Sequence, residues 1–124
     1  MADNNKTLLI VEDHEINAKL YIGLFESEGY TIVHSPDGLD TLELARQHNP
    51  AAIILDIQLP EISGLEHARN LKADAALKHI PIIAVTAFAM KGDEERVLAA
   101  GCDDYLAKPV TTSVLLDTIR KFVD

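Results

Sequence analysis

Glu12 and Asp13 close the apolar run at 8–11, and Asp56 closes the run at 51–55. Thr86 follows the run at 82–85, and Lys108-Pro109 follows Tyr105-Leu106. A carboxylate in a buried run costs several kcal/mol unless it finds a partner, so Asp56 in particular demands one. Three carboxylates gathered in one crevice repel one another and answer by holding a proton or a hard cation, and a purely oxygen donor set suits Mg2+. Against the Lys108 ammonium they leave a charge of −2, which one such ion offsets. A hydroxyl and an ammonium facing a carboxylate–Mg2+ pair are what the three oxygens of a phosphoryl group require. Taken singly the residues say less. Glu12-Asp13 suits a helix N-terminus, Thr86 a β-strand, Lys108 the surface and Tyr105 half-buried packing. The set outweighs these separate explanations.

Whether the groups meet depends on the elements that carry them. Residues 8–11 read as a buried strand. Ile16, Leu20 and Leu24 recur every four residues with Tyr21 and Phe25 beside them, which predicts an amphipathic helix with Gly29 as its left-handed cap. Residues 30–34 are β-prone, and Pro36-Asp37-Gly38 turns the chain into a second helix carrying Leu39, Leu42 and Ala45, stopped by Asn49-Pro50. Residues 51–57 form the most apolar stretch, a central strand broken only by Asp56. Ser63 and Glu66 make a capping box that opens a third helix with Leu65, Ala68 and Leu71. A fourth strand at 82–85 precedes a fourth helix between Phe88 and Ala100, with Gly92-Asp93 as either an interior weak point or the cap. Gly101 ends it, and Tyr105 and Leu106 mark a short fifth strand. The last helix places Leu115, Ile119 and Phe122 on one face and Arg120 and Lys121 in its final turn, where cations suit the dipole. Strand and helix alternate throughout, which specifies an α/β fold, a five-stranded parallel sheet with helices on both faces. In such open sheets the site lies at the carboxyl ends of the strands. The polar groups singled out above stand there.

Length and composition exclude other classes. The 124 residues make one domain, whose usual size is ~100–150. At 48% hydrophobic the chain builds a core and is not disordered. Its longest uninterrupted apolar run is five residues, far below the ~20 that span a bilayer, and no basic segment leads into an apolar one near Met1. The single cysteine, Cys102, forms neither an internal disulfide nor a metal cage, which fits a reducing cytoplasm. A net charge of −9 argues against nucleic acid as a partner. The acidity is uneven, with eleven acidic and three basic residues in 1–62 but nine and eight in 63–124. His14, His34, His48, His67 and His79 lack ligand spacing and read as surface residues, His14 at the rim of the site. Met90 and Cys102 read as packing around the fourth helix.

The acid pair, the lone Asp56, Thr86 and Lys108-Pro109, taken as a set, resemble the response-regulator receiver family of two-component signalling. The likeness runs along the whole chain. The stretches LDIQLPEISGLE and AVTAFAMKGDEER are similar to the single-domain DivK-like cell-cycle regulators of alphaproteobacteria within it. The resemblance implies a (βα)5 flavodoxin/CheY-like fold and a single receiver domain over 1–124 with no output domain. It implies that Asp56 accepts a phosphoryl group from a sensor histidine kinase (or kinase/phosphatase). Asp13 and Asp56 would hold Mg2+ with the Gln58 backbone carbonyl, Glu12 acting mainly through metal-bound water. Thr86 and Lys108 would take phosphoryl oxygens, and Tyr105 matches the family's switch aromatic. The peptide before Pro109 sits where the family has a cis bond. Gln58 and Phe88 flank the acceptor, and the bulk of Phe88 at the rim implies slow self-dephosphorylation. The implied protein is a cytoplasmic interaction switch that catalyses only its own phosphoryl transfer and hydrolysis. Its output would leave through the fourth helix, fifth strand and fifth helix to a protein, not to a membrane or nucleic acid.

Three other readings are weaker. A haloacid-dehalogenase-like phosphatase needs a second Asp two residues after its nucleophile, where this chain has Gln58. A flavin-binding flavodoxin needs a Ser/Thr/Gly-rich phosphate loop after the first strand, and the acidic residues 12–15 would repel that phosphate. A degenerate, scaffold-only receiver would not need the complete residue set.

Overall fold

The computed structural model describes residues 6–36, 38, 40–56, 64–86, 93–108 and 110–123. Strands and helices alternate as β1 (Thr7–Val11), α1 (Glu15–Ser27), β2 (Thr31–Ser35), α2 (Thr41–His48), β3 (Ala52–Asp56), α3 (Gly64–Ala73), β4 (Ile82–Thr86), α4 (Asp93–Ala99), β5 (Asp104–Ala107) and α5 (Thr112–Val123). Every strand pairing is parallel, and the sheet order is β2-β1-β3-β4-β5. The predicted α/β architecture holds.

The three inner strands explain their own composition. With neighbours on both edges and helices on both faces, β1, β3 and β4 have no wet side, so they need no polar alternation. One face sends Leu9, Val11, Ile53, Leu55, Ile82 and Ala84 against Ala45 of α2, Ala68 and Leu71 of α3 and Val97 of α4. The other sends Leu8, Ile10, Ile54, Ile83 and Val85 against Tyr21 and Phe25 of α1 and Leu115 and Ile119 of α5. Each fully buried Leu, Ile or Phe contributes about 1.5–3 kcal/mol.

α1 departs from its predicted orientation. Its buried residues are Ala18, Tyr21 and Phe25, while Ile16 and Leu20 are 72% and 49% exposed. A strict four-residue repeat precesses about 40° per step around a helix, and the two aromatic rings bury more area than the aliphatic stripe. Phe25 then meets Tyr30 edge-on, with ring centroids 5.6 Å apart. Gly29 follows the helix at φ 92° as expected, and Asn49 closes α2 in the left-handed region at φ 45°.

Another positive-φ position, Gly101, leads from α4 towards β5. A Cβ there would sit 2.6 Å from Cγ of Lys72. That side chain is pinned, because its Nζ donates to the Ile80 carbonyl at 3.0 Å and to Asp103 Oδ2 at 2.9 Å. Asp103 Oδ2 also accepts from the Ile82 amide at 2.8 Å, so one contact ties the end of α3 to the starts of β4 and β5.

The histidines divide. His48 and His79 are exposed, as predicted. His67 is not a surface residue, being only 4% exposed on the side of α3 that buries Leu71. Its Nε2 has no hydrogen-bond partner, and burial pulls its pKa down against a weaker opposing pull from Glu66. Cys102 packs in the core beside Val97 and Ala100, and burial pushes its thiol up to about 12, so it stays an inert thiol. Leu39, Ser63, Gln58, Phe88, Met90 and Pro109 lie outside the described residues, as do the side chain of Leu65 and the 88–92 part of the predicted fourth-helix bracket.

Candidate functional site

Parallel strands all end on one side of the sheet, so β1, β3, β4 and β5 deliver their last residues to one place. Glu12 and Asp13 follow β1, Asp56 ends β3, Thr86 ends β4 and Lys108 follows β5. Carboxylate oxygens of Glu12, Asp13 and Asp56 all lie within 4.8 Å of one another. Glu12 is 1% and Asp56 3% exposed, whereas Asp13 faces water. Lys108 Nζ reaches over them, 3.0 Å from Glu12 Oε1 and 3.5 Å from Asp56 Oδ2. Its backbone amide donates to the Thr86 carbonyl at 2.7 Å, which sets where the side chain starts. Burial alone would lower the Lys108 pKa. The hydrogen bond to Glu12 and the charges of Asp56 and Glu12 overcome that and raise it.

Three negative groups facing one ammonium leave the site short of positive charge. The donor set is oxygen only, partly buried and open at Asp13, which fits a hard divalent cation. Glu12, Asp13 and Asp56 are the residues that can hold one.

Thr86 and Tyr105 stand on adjacent strands. Ala84 is paired with Tyr105 and Thr86 with Ala107. Side chains two apart share a face of a strand, so Thr86, Ala84 and Tyr105 line the face covered by α2, α3 and α4. Tyr105 is half-buried against that core.

His14 is exposed beside Asp13 and makes two local hydrogen bonds. Its amide donates to Glu12 Oε2 at 3.1 Å, and its Nδ1 caps α1 by accepting from the Asn17 amide at 3.4 Å.

Two residues at the site were not foreseen. His34, on β2, makes a 2.9 Å hydrogen bond through Nε2 to the Glu12 carbonyl. Tyr21, on α1, has its phenol pKa raised first by burial, with Lys108 opposing and Glu12 and Asp56 reinforcing, so it lies within electrostatic reach of the cluster. Both needed the strand order and the rotation of α1 to be found, and neither is written in local sequence.

The family model described as response regulator receiver domain matches residues 8–120. The polar-differentiation response regulators DivK of Brucella ovis and Brucella anthropi are each 51% identical over 118 residues, covering 95% of this chain and 96% of theirs. Among solved structures, the receiver domain of sensor histidine kinase PA1611 from Pseudomonas aeruginosa is 33% identical with a TM-score of 0.88, over 96% of this chain and 98% of that one. That structure carries a magnesium ion coordinated in its active-site cleft. The chemotaxis protein CheY4 of Vibrio cholerae, at 23% identity and TM-score 0.89 over 95% and 98% of the two chains, shares the fold.

Proposed function

The chain belongs to the response regulator receiver domain family of two-component signalling, and from that premise we propose that Asp56 is its phosphoryl acceptor. The observation that carries this is the placement of Asp56. It is the buried carboxylate at the end of an inner strand, 3.5 Å from Lys108 and beside the strand that ends in Thr86. Glu12 is already engaged at both oxygens, by Lys108 and by the His14 amide. Asp13 faces water.

In the proposed reaction an Asp56 oxygen attacks the phosphorus of a phosphohistidine on a sensor kinase, and the imidazole leaves with the bonding pair. Asp13 and Asp56 would hold Mg2+ together with the Gln58 carbonyl, with Glu12 behind them. When bound, that ion supplies the positive charge that lets an anionic phosphoryl group approach anionic carboxylates. Lys108 takes one phosphoryl oxygen and Thr86 donates its hydroxyl to another. The resemblance assigns Phe88 to tuning water access, and its apolar bulk would keep self-hydrolysis slow.

The face that Thr86 shares with Tyr105 supports a switch between them. Thr86 moving towards the phosphoryl oxygens frees space beside β5, which Tyr105 fills, and the α4–β5–α5 surface changes. That surface belongs to the nearly neutral half of the chain, so an apolar partner contact there is not opposed by a strong field. The kinase (or kinase/phosphatase) and the downstream protein are the partners, in the cytoplasm. No described helix is long and apolar enough to cross a membrane. The polar-differentiation role named for the DivK relatives sets the pathway we propose for this chain.

Acetyl phosphate with Mg2+ should label the wild type and not Asp56→Asn, provided the variant keeps its circular dichroism. Labelling that persists in Asp56→Asn moves the acceptor to another carboxylate. Under the phosphoryl mimic beryllofluoride, wild-type amide shifts should reach Tyr105 and α4, and in Thr86→Ala they should stop at the active-site loops. If they spread equally in Thr86→Ala, the Thr86–Tyr105 route is wrong.

A further inference from the structure

β1 and β2 run in register to Val11 and Ser35, and the next residue, Glu12, is held to β2 from both sides. Its amide donates to the Ser35 carbonyl at 3.2 Å. Its carbonyl receives the His34 ring, 2.9 Å from Nε2. A carbonyl can only accept, so the ring donates from Nε2. β2 ends at Ser35, and with it the ladder that has paired the two strands up to this point. The imidazole therefore supplies a donor where the strand has stopped.

The carbonyl in question belongs to the peptide that joins Glu12 to Asp13. Fixing that plane fixes the N–Cα bond of Asp13 and so narrows the directions in which its side chain can leave the backbone. His34 and Asp13 also line one cleft of about 500 Å3. In the strand order β2 and β5 lie on opposite sides of β1, so His34 and Lys108 approach the acid pair from opposite edges. Lys108 holds the Glu12 carboxylate by its head, and His34 holds the backbone behind it.

We propose that His34 is a positioning residue for the metal-holding acid pair. It sets the Glu12–Asp13 peptide so that the Asp13 carboxylate is already aimed at the cation before any cation arrives. The proposal rests on the reading of Glu12, Asp13 and Asp56 as a Mg2+ site. Partners that orient the ligands of a metal typically change its affinity about 10–100-fold when removed. Here the hold is on one ligand's backbone, so the lower end applies.

The test uses the full chain and two readouts. Mg2+ affinity is measured by calorimetry, and the metal-free Asp13 amide is followed by NMR shift and hydrogen exchange. His34→Leu, which keeps bulk without a donor, should bind Mg2+ about tenfold more weakly and show a displaced, faster-exchanging Asp13 amide without metal. His34→Gln, whose amide nitrogen sits near the position of Nε2, should restore both. Val33→Ala, a neighbour on β2 that packs into the core and does not touch Glu12, is the control for lost stability. The proposal is overturned if His34→Leu binds Mg2+ as the wild type does, if His34→Gln restores nothing, or if Val33→Ala weakens binding equally. If the wild type itself binds no Mg2+, the metal reading fails, and the metal-free Asp13 amide still decides whether His34 holds the peptide.

Discussion

Replacing Asp56 by Asn should stabilise the metal-free protein, although it removes a partner of Lys108. At an effective dielectric constant of about 20, the attraction between Asp56 and Lys108 across 3.5 Å is about 5 kcal/mol. Glu12, with an oxygen within 4.8 Å, repels Asp56 by at least about 3.5 kcal/mol on the same scale. Asp13 repels it too, at roughly half that strength because water screens an exposed group. The charge terms nearly cancel. Desolvation then decides, since a carboxylate that is 3% exposed has given up far more hydration than an amide would. The expected gain is about 1–3 kcal/mol, and for a domain of this size each kcal/mol raises Tm by roughly 3–5 °C. Thermal melts in EDTA measure it. Adding Mg2+ should then raise the wild-type Tm and move Asp56→Asn much less, because only a native-state site gains by mass action. A variant that melts below the wild type in EDTA would refute the reasoning, showing that Asp56 is held by attraction and that no repulsive cluster is waiting for a cation.

The converse substitution, Lys108→Met, leaves Glu12 and Asp56 buried without their ammonium and should cost about 3–5 kcal/mol in urea melts at neutral pH. Because the folded pKa of Lys108 is raised, its contribution is complete below the ordinary lysine range and fades as pH climbs through the folded value, so the alkaline limb of the stability curve should flatten in the variant. His67 has the opposite sign. Its folded pKa is lowered, so stability is intact above the ordinary histidine range and falls as pH drops through that range towards the folded value. His67→Leu should remove that acid-side loss and be neutral or stabilising by up to about 1 kcal/mol at pH 7, since it deletes an unpartnered buried nitrogen; an unchanged acid limb would contradict this. Gly101→Ala should cost about 1–3 kcal/mol through its left-handed backbone and the Lys72 stem, and a double-mutant cycle with Lys72→Ala should show coupling, because trimming the stem relieves the clash but leaves the backbone strain.

The strand ends were legible because buried strands tolerate so few polar residues. Asp56 at the close of an apolar run, or Thr86 after another, has little reason to be there except the crevice it faces. Alternation of strand and helix carried the layer architecture with it. The rotation of α1 was less legible, since Ile16, Leu20 and Leu24 form the cleaner repeat while Tyr21 and Phe25 carry the larger area. His34 was invisible for a different reason. Only once β2 is known to lie beside β1 does a histidine on β2 become a neighbour of Glu12, and nothing local encodes that adjacency. His67 looked exposed because its type usually is, and the apolar face of its helix was assigned to Leu65, Ala68 and Leu71 without it.

The strand order also has a consequence in time. β2, β1 and β3 lie side by side, so all the residues of three adjoining strands, with Glu12, Asp13 and Asp56, have left the ribosome once residue 56 is out. The lysine that bridges them comes 52 residues after Asp56. At synthesis rates of about 5–20 residues per second, the acidic rim waits roughly 3–10 s for its counter-charge. Throughout that interval the carboxylates are better left in water than sealed, so the top of the nascent sheet should stay open until β5 docks and brings Lys108 across. The same order should govern refolding, with β5 amides gaining protection from pulsed hydrogen exchange after those of β1 and β3. The residue that completes the site would then also be the one that closes the fold.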